Sequence, residues 1–426
     1  MISSSECRMM MVLCGRGQEN LYAGFCLCRP FLCRPWLLIV EKILDMFLRM
    51  DFYSIKGSGN NIEAVCDMKK SDSSRNRKVL VAMSGGVDSS VAALLLKNAG
   101  YDVTGVTMAL GIHRGGEIPG RFTDDAIDDA ARVCDQLGMP HITVSFASLM
   151  ENKVIARFTS EYLSGRTPNP CVDCNRYLKF GALLKEARKL GFHRLATGHY
   201  ARIENQPSGW RLLRPADRGK DQSYFLYPLR LEDLPFILFP LGLMTKEEVR
   251  LTARQSGLHT ARRHDSQDIC FVPHGDYSRV FSDRNLKTEP GDIVDRNGKI
   301  LGRHRGIIYY TIGQRGGLRI SAKAPFYVVA IDALKNQIIV GGRDDVRASG
   351  LIAGDLNLLI EPFPGQVEAK IRYRKKPALC SVIRQGDKLN VMFKDPQDAV
   401  TPGQAVVFYA EDTVLGGGVI EEAIRD

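Results

Sequence analysis

The stretch that most narrows what this chain can fold into is Lys78 to Gly100, KVLVAMSGGVDSSVAALLLKNAG. Val79 to Ala82 form a short apolar run of high strand propensity, and Met83, Ser84, Gly85, Gly86, Val87, Asp88, Ser89 and Ser90 follow it. Val91, Ala92, Leu94 and Leu95 then recur at helical spacing, and Gly100 stands where a helix would stop. The pattern predicts strand, tight loop, helix. Two adjacent glycines permit a sharp turn and close approach of a ligand, while unpaired N–H groups of the loop and helix start point outward as anion donors. The plainer reading is an ordinary βα turn with an N-cap serine; the placement between strand and helix favours a phosphate cradle.

A Walker A loop would carry a Lys before the Ser or Thr to neutralise the terminal phosphate, and this loop has none. The loop is therefore read as holding a pyrophosphate through backbone amides, the hydroxyls of Ser84, Ser89 and Ser90, and a metal ion that Asp88 helps to place. SGGVDSS resembles the pyrophosphatase loop of the ATP pyrophosphatase (PP-loop) superfamily. That resemblance implies cleavage of ATP between its α and β phosphates and activation of an oxygen as its adenylate.

Further on, the pattern predicts a strand at Tyr101–Leu110, a helix over Asp124–Leu137 stopped by Gly138, and a strand at His141–Phe146. Helices over Leu149–Leu163 and Leu178–Leu190 and a strand over Arg194–Ile203 come next. Such alternation means βαβ units and a parallel sheet, with ligands at the carboxyl ends of its strands. From Tyr277 the helical period fades into short β runs at Asp292–Val294 and Lys299–Leu301, a strand at Ile307–Ile312 and a hairpin over Pro325–Val340 turning at Leu334–Asn336. Leu356–Ile360, Val367–Ile371, Leu379–Ile383, Lys388–Phe393 and Ala405–Tyr409 alternate as in a small antiparallel barrel. The fold class expected is α/β. A parallel-sheet nucleotide domain spans 77–275, a small mostly-β central domain 276–345, and a C-terminal antiparallel β-barrel 346–426.

Residues 1–76 form an extension without a clean period. The first forty are rich in Ser, Arg and Cys with only Glu6 and Glu19 acidic, as in an organelle transit peptide. Glu41, Asp45, Asp51, Glu63 and Asp67 fit that poorly, and a start at Met46, Met50 or Met68 would make the extension non-native. Disorder or loosely packed helix is expected there. Its most apolar region, Leu21–Leu48, is broken by Arg29, Arg34, Glu41, Lys42 and Asp45, so no uncharged run reaches the ~18 residues of a membrane span.

Of the 11 cysteines, Cys134, Cys171, Cys174, Cys270 and Cys380 lie beyond the first strand, dispersed in a way that suggests a reducing compartment and thiol chemistry rather than a disulfide framework. In TPNPCVDCNRYLKF, Thr167–Phe180, the prolines Pro168 and Pro170 keep the backbone extended, which presents Cys171 and Cys174 on a loop just before a helix. The helix dipole is expected to lower their pKa toward thiolate. Asp265–Val272, DSQDICFV, places Cys270 in a polar-then-apolar turn. A lone CxxC reads as zinc, a redox pair or nothing; zinc would want four ligands, and no second CxxC or HxxxH follows. A net charge of +10 permits a polyanionic partner without proving one.

SGGVDSS, NPCVDCN, ATGHY, KDQSYFL (Lys220–Leu226), DSQDICFV and YTIGQRGGL (Tyr310–Leu318) occur in the order and spacing of the tRNA-specific 2-thiouridylases, the MnmA family, and the similarity runs from about Arg77 to the C-terminus. The resemblance implies that Ala82, Met83, Ser84, Gly85, Gly86, Val87, Asp88, Ser89, Met108 and Gly198 bind ATP. It implies that Asn169, Pro170 and Cys171 meet the target base, and that His199, Lys220, Asp221, Gln222, Arg372, Tyr373 and Gln404 contact tRNA. Cys174 matches the family's nucleophile and Cys270 its persulfide carrier. The activity so implied is ATP-dependent 2-thiolation of the wobble uridine, flipped from its stack. It brings ATP and Mg2+, a tRNA substrate and an upstream persulfide sulfurtransferase, with a cytoplasmic monomer and no membrane as the expected setting. A transit peptide would instead mean mitochondrion or plastid.

Some family members carry Asp where Cys171 stands. Three thiols, Cys171, Cys174 and Cys270, could hold a [4Fe-4S] cluster with one open iron site; the persulfide route is preferred. Many members carry Lys where Gly316 stands. Arg372, Tyr373, Arg374, Lys375 and Lys376 interleave an aromatic with four cations, either a solvated hairpin tip or a groove that tracks phosphates and stacks a base. The rival readings are another ATP pyrophosphatase, such as an amidotransferase, and an RNA-binding module with a relict nucleotide fold. The first has no use for three thiols, and the second leaves the intact loop and both cysteine stretches unexplained.

Overall fold

Val79, Leu80 and Val81 are completely buried in the strand Lys78–Ala82, because this strand lies at the middle of a parallel sheet covered on both faces. In the computed structural model, which describes residues 54–56, 63–65, 77–112, 121–263, 269–272, 275–321 and 324–425, the spatial order is His141–Ser145, Asp102–Ala109, Lys78–Ala82, Arg194–Thr197, Ile237–Leu238. All four pairings are parallel. The strand order reverses between Lys78–Ala82 and Arg194–Thr197, and a crevice at such a point is where open α/β sheets take ligands. The loops SGGVDSS and GHY leave the carboxyl ends of those two strands.

The first helix starts at Val87, inside the predicted loop, and runs to Asn98. The stretch Arg194–Ile203 divides into the strand Arg194–Thr197 and the start of a hairpin, Arg202–Gln206 with Gly209–Leu213, which the alternation did not reveal. The predicted strand Ile307–Ile312 is instead a 3₁₀ turn, Ile307–Tyr309, after Gly306 at φ +139°. The turn sends adjacent isoleucines into two cores, Ile307 toward Ile293, Val328 and Val340 and Ile308 toward Phe158 and Phe281. A strand would have sent them to opposite faces of one sheet.

The central sheet runs Ile300–His304, Gly291–Val294, Gln337–Gly341, Tyr327–Asp332, and the last two form the predicted hairpin. The barrel closes in the order Arg347–Leu358, Lys388–Asp398, Ala378–Gln385, Gln366–Lys370, Ala405–Ala410, Thr413–Ile424 and back to the first. Every contact is antiparallel. Its last strand pairs with the hairpin of the α/β domain at Thr413 and Leu213. Leu80, Leu195, Tyr224 and Tyr227 share one core with Val407, Tyr409 and Val414, so the α/β domain and the barrel are packed directly on each other.

The expectation for 1–76 lies outside the described residues, except that Ser54–Lys56 and Glu63–Val65 pair as two antiparallel strands rather than helix. No helix among the described residues is long and apolar enough to cross a membrane.

Candidate active site

The cradle forms as its sequence requires. Gly85 sits at φ +69°, the left-handed region that glycine adopts without penalty. The Ser89 hydroxyl accepts from the Ser84 amide at 3.2 Å and donates to the Gly86 carbonyl at 3.1 Å, and the Ser90 hydroxyl donates to the same carbonyl at 2.8 Å. These bonds hold the loop open around the helix start. Gly198 closes the opposite wall. A Cβ there would stand 2.7 Å from the Ser89 amide nitrogen, so only glycine lets the two loops touch.

Asp88 does not stand ready for a metal ion. Its carboxylate accepts from the Lys246 ammonium at 2.7 and 2.9 Å and from the Tyr200 hydroxyl at 2.9 Å. Lys246 begins the helix Lys246–Gln255, fixed by a capping box in which the Thr245 hydroxyl accepts from the Glu248 amide and the Glu248 carboxylate accepts from the Thr245 amide. Hence the cation that the loop lacks in sequence arrives from about 160 residues downstream. Arg263 adds a second. Its guanidinium donates to the Gly85 carbonyl at 2.7 Å and pairs with Asp129. Local motif reading misses both residues; the TK-E signature of the capping box is the only sequence sign of the first.

Cys171 and Cys174 lie in a helix, not on a loop before one. Pro170 occupies its first position, where the missing N–H costs nothing, and Asn169 before it lies outside the helical region at φ −119° and ψ 88°. The helix continues through Cys174–Leu183 with wider, i→i+5 turns to Lys189. Such turns bring Lys179 round to the face of Cys174. The expected thiolates are not present at rest. The Cys171 side chain is open to solvent on one side, yet loss of hydration against the protein wall pushes its thiol up to about 11. Burial raises Cys174 as well. The Lys179 charge pulls both down, and is outweighed. The helix dipole at this N-terminal turn is outweighed by desolvation.

Lys179 also donates to His199 Nε2 at 3.3 Å, and His199 Nδ1 meets the Thr197 hydroxyl at 2.7 Å. The ring is enclosed beside Phe180 and Phe239, and burial together with Lys179 holds its pKa well below the ordinary value, so it is neutral with the proton on Nδ1. A continuous line therefore runs from the phosphate loop through Gly198 and His199 to Lys179 and the two thiols. Met108, at the end of its strand, packs against the core under the sheet and also against the cluster that holds Cys174, Ile269, Phe271 and Val272. Cys270, exposed, sits between the last three, so the turn that carries it shares an apolar bed with Cys174. Among the described residues no three His, Cys, Asp or Glu side chains gather closely enough to hold a metal ion. The three cysteines therefore do not form a ready cluster site, and no step is routed through one.

The residues expected to touch RNA line the seam between the α/β domain and the barrel. Gln222 and Tyr200 are strapped together, the Gln222 side-chain oxygen accepting from the Tyr200 amide at 2.8 Å. Asp221 is buried and accepts from the Ser223 amide and hydroxyl at 3.0 and 2.6 Å. Lys220 is half-buried at the turn. Arg372 donates to the Thr401 hydroxyl at 2.6 Å and the Ile312 carbonyl at 3.1 Å, and Gln404 to the carbonyls of Thr167 and Pro168 at 2.9 and 3.1 Å. The Tyr373 ring rests on Phe225 with centroids 4.5 Å apart. Asn169 shares the Tyr224 hydroxyl.

Comparison with known proteins fits this geometry. Three family models match in succession: a tRNA methyl transferase HUP domain over residues 77–274, a tRNA methyl transferase PRC-barrel domain over 279–342, and an aminomethyltransferase β-barrel domain over 348–420. The chain is 54% identical over 349 residues to the tRNA-specific 2-thiouridylase MnmA 1 of Syntrophus aciditrophicus, covering 82% of this chain and 94% of that one. It is 50% identical over 359 residues to the corresponding enzyme of Carboxydothermus hydrogenoformans, covering 82% and 98%. The models' descriptions speak of methyl transfer and the relatives of thiolation; a cysteine pair beside a phosphate cradle suits sulfur chemistry. On relatives this similar along almost their whole length, the chain belongs to the tRNA-specific 2-thiouridylases, a family of transferases that modify tRNA.

Proposed function

We propose that this chain adenylates and then 2-thiolates the wobble uridine (U34) of tRNA, consuming ATP and releasing pyrophosphate and AMP. The observation that supports the reading is the Gly198–His199–Lys179 line, which runs from the phosphate loop to the lysine whose charge acts on Cys171 and Cys174. ATP enters as its Mg2+ complex; no protein carboxylate is assigned to the ion, because Lys246 and Tyr200 occupy Asp88.

In the first half-reaction the uridine C2 oxygen attacks the α phosphate and pyrophosphate departs. Backbone amides of Gly85–Ser89 and the Lys246 and Arg263 charges stabilise the anion that leaves. Neutral His199 cannot add a second positive charge beside Lys179, which leaves the lysine as the cation facing the sulfurs. In the second half-reaction Cys270 carries a persulfide received from an upstream sulfurtransferase. The Cys174 thiolate attacks its inner sulfur, a Cys174–Cys270 disulfide forms, and hydrosulfide is expelled toward C2, where it displaces AMP. An external dithiol reduces the disulfide before the next turnover. Since both resting thiols in the helix are protonated, substrate binding must shift Cys174 toward thiolate, and Lys179 is the charge placed to do so. We further propose a cytoplasmic monomer.

The test is incubation with Mg-ATP, unmodified tRNA and a persulfide donor, with mass spectrometry of the digested tRNA. Wild type is expected to form 2-thiouridine, and Cys174→Ser and Cys270→Ser to form none. Full turnover by Cys270→Ser would remove the carrier role; absence of product from wild type would remove the function.

A further inference from the structure

Lys370 ends the strand Gln366–Lys370 and points its side chain into the seam between barrel and α/β domain, where only 8% of the residue remains exposed. Its ammonium stands 5.4 Å from the centre of the Tyr373 ring and 5.8 Å from that of Tyr224. Among the described residues no oxygen accepts a hydrogen bond or forms an ion pair with it. Asp221 acts on it electrostatically but has its carboxylate committed to Ser223 and Arg214. Lysine is rarely buried without an acceptor, and long cationic side chains normally carry the head group out to water. Two ring faces offset part of the lost hydration, and the Nζ atom, which is not among the fully buried polar atoms, keeps an opening through which its N–H donors can meet an incoming acceptor. Burial accordingly pulls Lys370 below the ordinary lysine range.

The surroundings say what is missing. A compact ammonium suits a point charge better than a planar group, and a phosphodiester brings both the charge and the acceptors. A neutral base carbonyl would leave the charge uncompensated. Tyr373, half-buried against Phe225, offers a ring beside the cation, the combination by which single-stranded nucleic acid is held. Tyr224 ties this seam to Asn169, one residue before the helix that carries the thiols.

We propose that this seam is a phosphodiester site for the RNA substrate, in which the Lys370 ammonium donates to a non-bridging oxygen and Tyr373 stacks on the adjoining base. The proposal rests on the tRNA reading above and assigns to Lys370 the task of seating the backbone next to the target nucleotide.

Lys370→Met and Lys370→Arg test it, by filter binding of unmodified tRNA across roughly 50 to 200 mM salt, with ATP affinity and melting temperature measured alongside. Lys370→Met is expected to weaken tRNA binding roughly tenfold and to flatten the salt dependence by about one phosphate contact. ATP affinity should be unchanged and the melting temperature equal or higher, since an uncompensated buried charge has gone. Lys370→Arg should keep the wild-type slope. Unchanged tRNA affinity, or weakened affinity with an unchanged salt slope, overturns the phosphate contact. So does a lower melting temperature with loss of ATP binding, which would make Lys370 a structural residue. Failure of the wild type itself to bind tRNA would instead sink the functional reading, and this site with it.

Discussion

Lys246→Met tests whether the cradle's missing lysine is supplied from the far end of the domain. The ammonium lies 2.7 and 2.9 Å from the Asp88 oxygens, with 7% of the lysine side chain and 33% of the aspartate side chain exposed. At about 3 Å and an effective dielectric near 20 the gross attraction is roughly 5 to 6 kcal/mol. Desolvation of the ammonium and screening at the one-third exposed carboxylate remove about half of that, which leaves a net coupling of about 2 to 3 kcal/mol. Urea unfolding of Lys246→Met, Asp88→Asn and the double variant would measure it. Each single change should destabilise by about 2 kcal/mol or more, and the double variant by clearly less than their sum. The same variants report on the ligand. ATP at about a hundred times its Kd should stabilise wild type by about 2.7 kcal/mol, and Lys246→Met should lose most of that increment. Additive single effects within about 0.5 kcal/mol, together with a retained ATP increment, would refute the argument: the pair would be a solvated contact and the cradle would work without it.

Asp173, 5% exposed between the two thiols, has its carboxyl raised to about 6, burial outweighing Arg157 at 3.4 Å and Arg176. The folded state therefore binds this proton more tightly than the unfolded chain, so its contribution is fully present below about pH 4 and is lost as pH rises through about 6. Asp173→Asn should remove up to roughly 3 kcal/mol of that slope, and identical urea midpoints against pH for both proteins would show otherwise. Gly198→Ala should cost ATP affinity at least about tenfold, because the added Cβ meets backbone at 2.7 and 2.8 Å and must push the two loops apart. Calorimetric titration with wild-type affinity would disprove the contact.

The sheet and barrel were legible because strand–helix alternation and β-run spacing are local, and Val79–Ala82 and Val367–Ile371 carry their own pattern. The cradle was legible for the same reason. What escaped depended on competition between local and tertiary terms. Pro170 signals an extended residue before it and a permitted helix start after it, and the packed face of Val172, Leu178 and Leu183 decided for helix. The thiol pKa values went the other way from the dipole argument because desolvation is set by neighbours far off in sequence. Lys246 and Arg263 were invisible as cradle residues for want of any motif linking them to Gly85 and Asp88.

The residues expected to touch RNA carry structural duties that limit what they could bind. Pro168 and Pro170 strip two N–H groups from the loop before the thiol helix, and its carbonyls still need donors. Gln404 supplies both N–H bonds, to Thr167 and Pro168, while the Pro402 carbonyl accepts from the Thr167 amide. Gly403 must be glycine there, at φ +91° with the Thr167 backbone 2.9 Å from where a Cβ would be. The barrel thus holds the thiol loop through the very side chain expected to read RNA. With its amide nitrogen spent on the loop, Gln404 has only its oxygen to offer, and an oxygen accepts. An RNA group that meets Gln404 without unlatching the loop must therefore be a donor, a 2′-hydroxyl or an exocyclic amine, whereas a phosphate there could bind only by pulling the amide off Thr167 and Pro168 and freeing the segment that leads to Cys171 and Cys174.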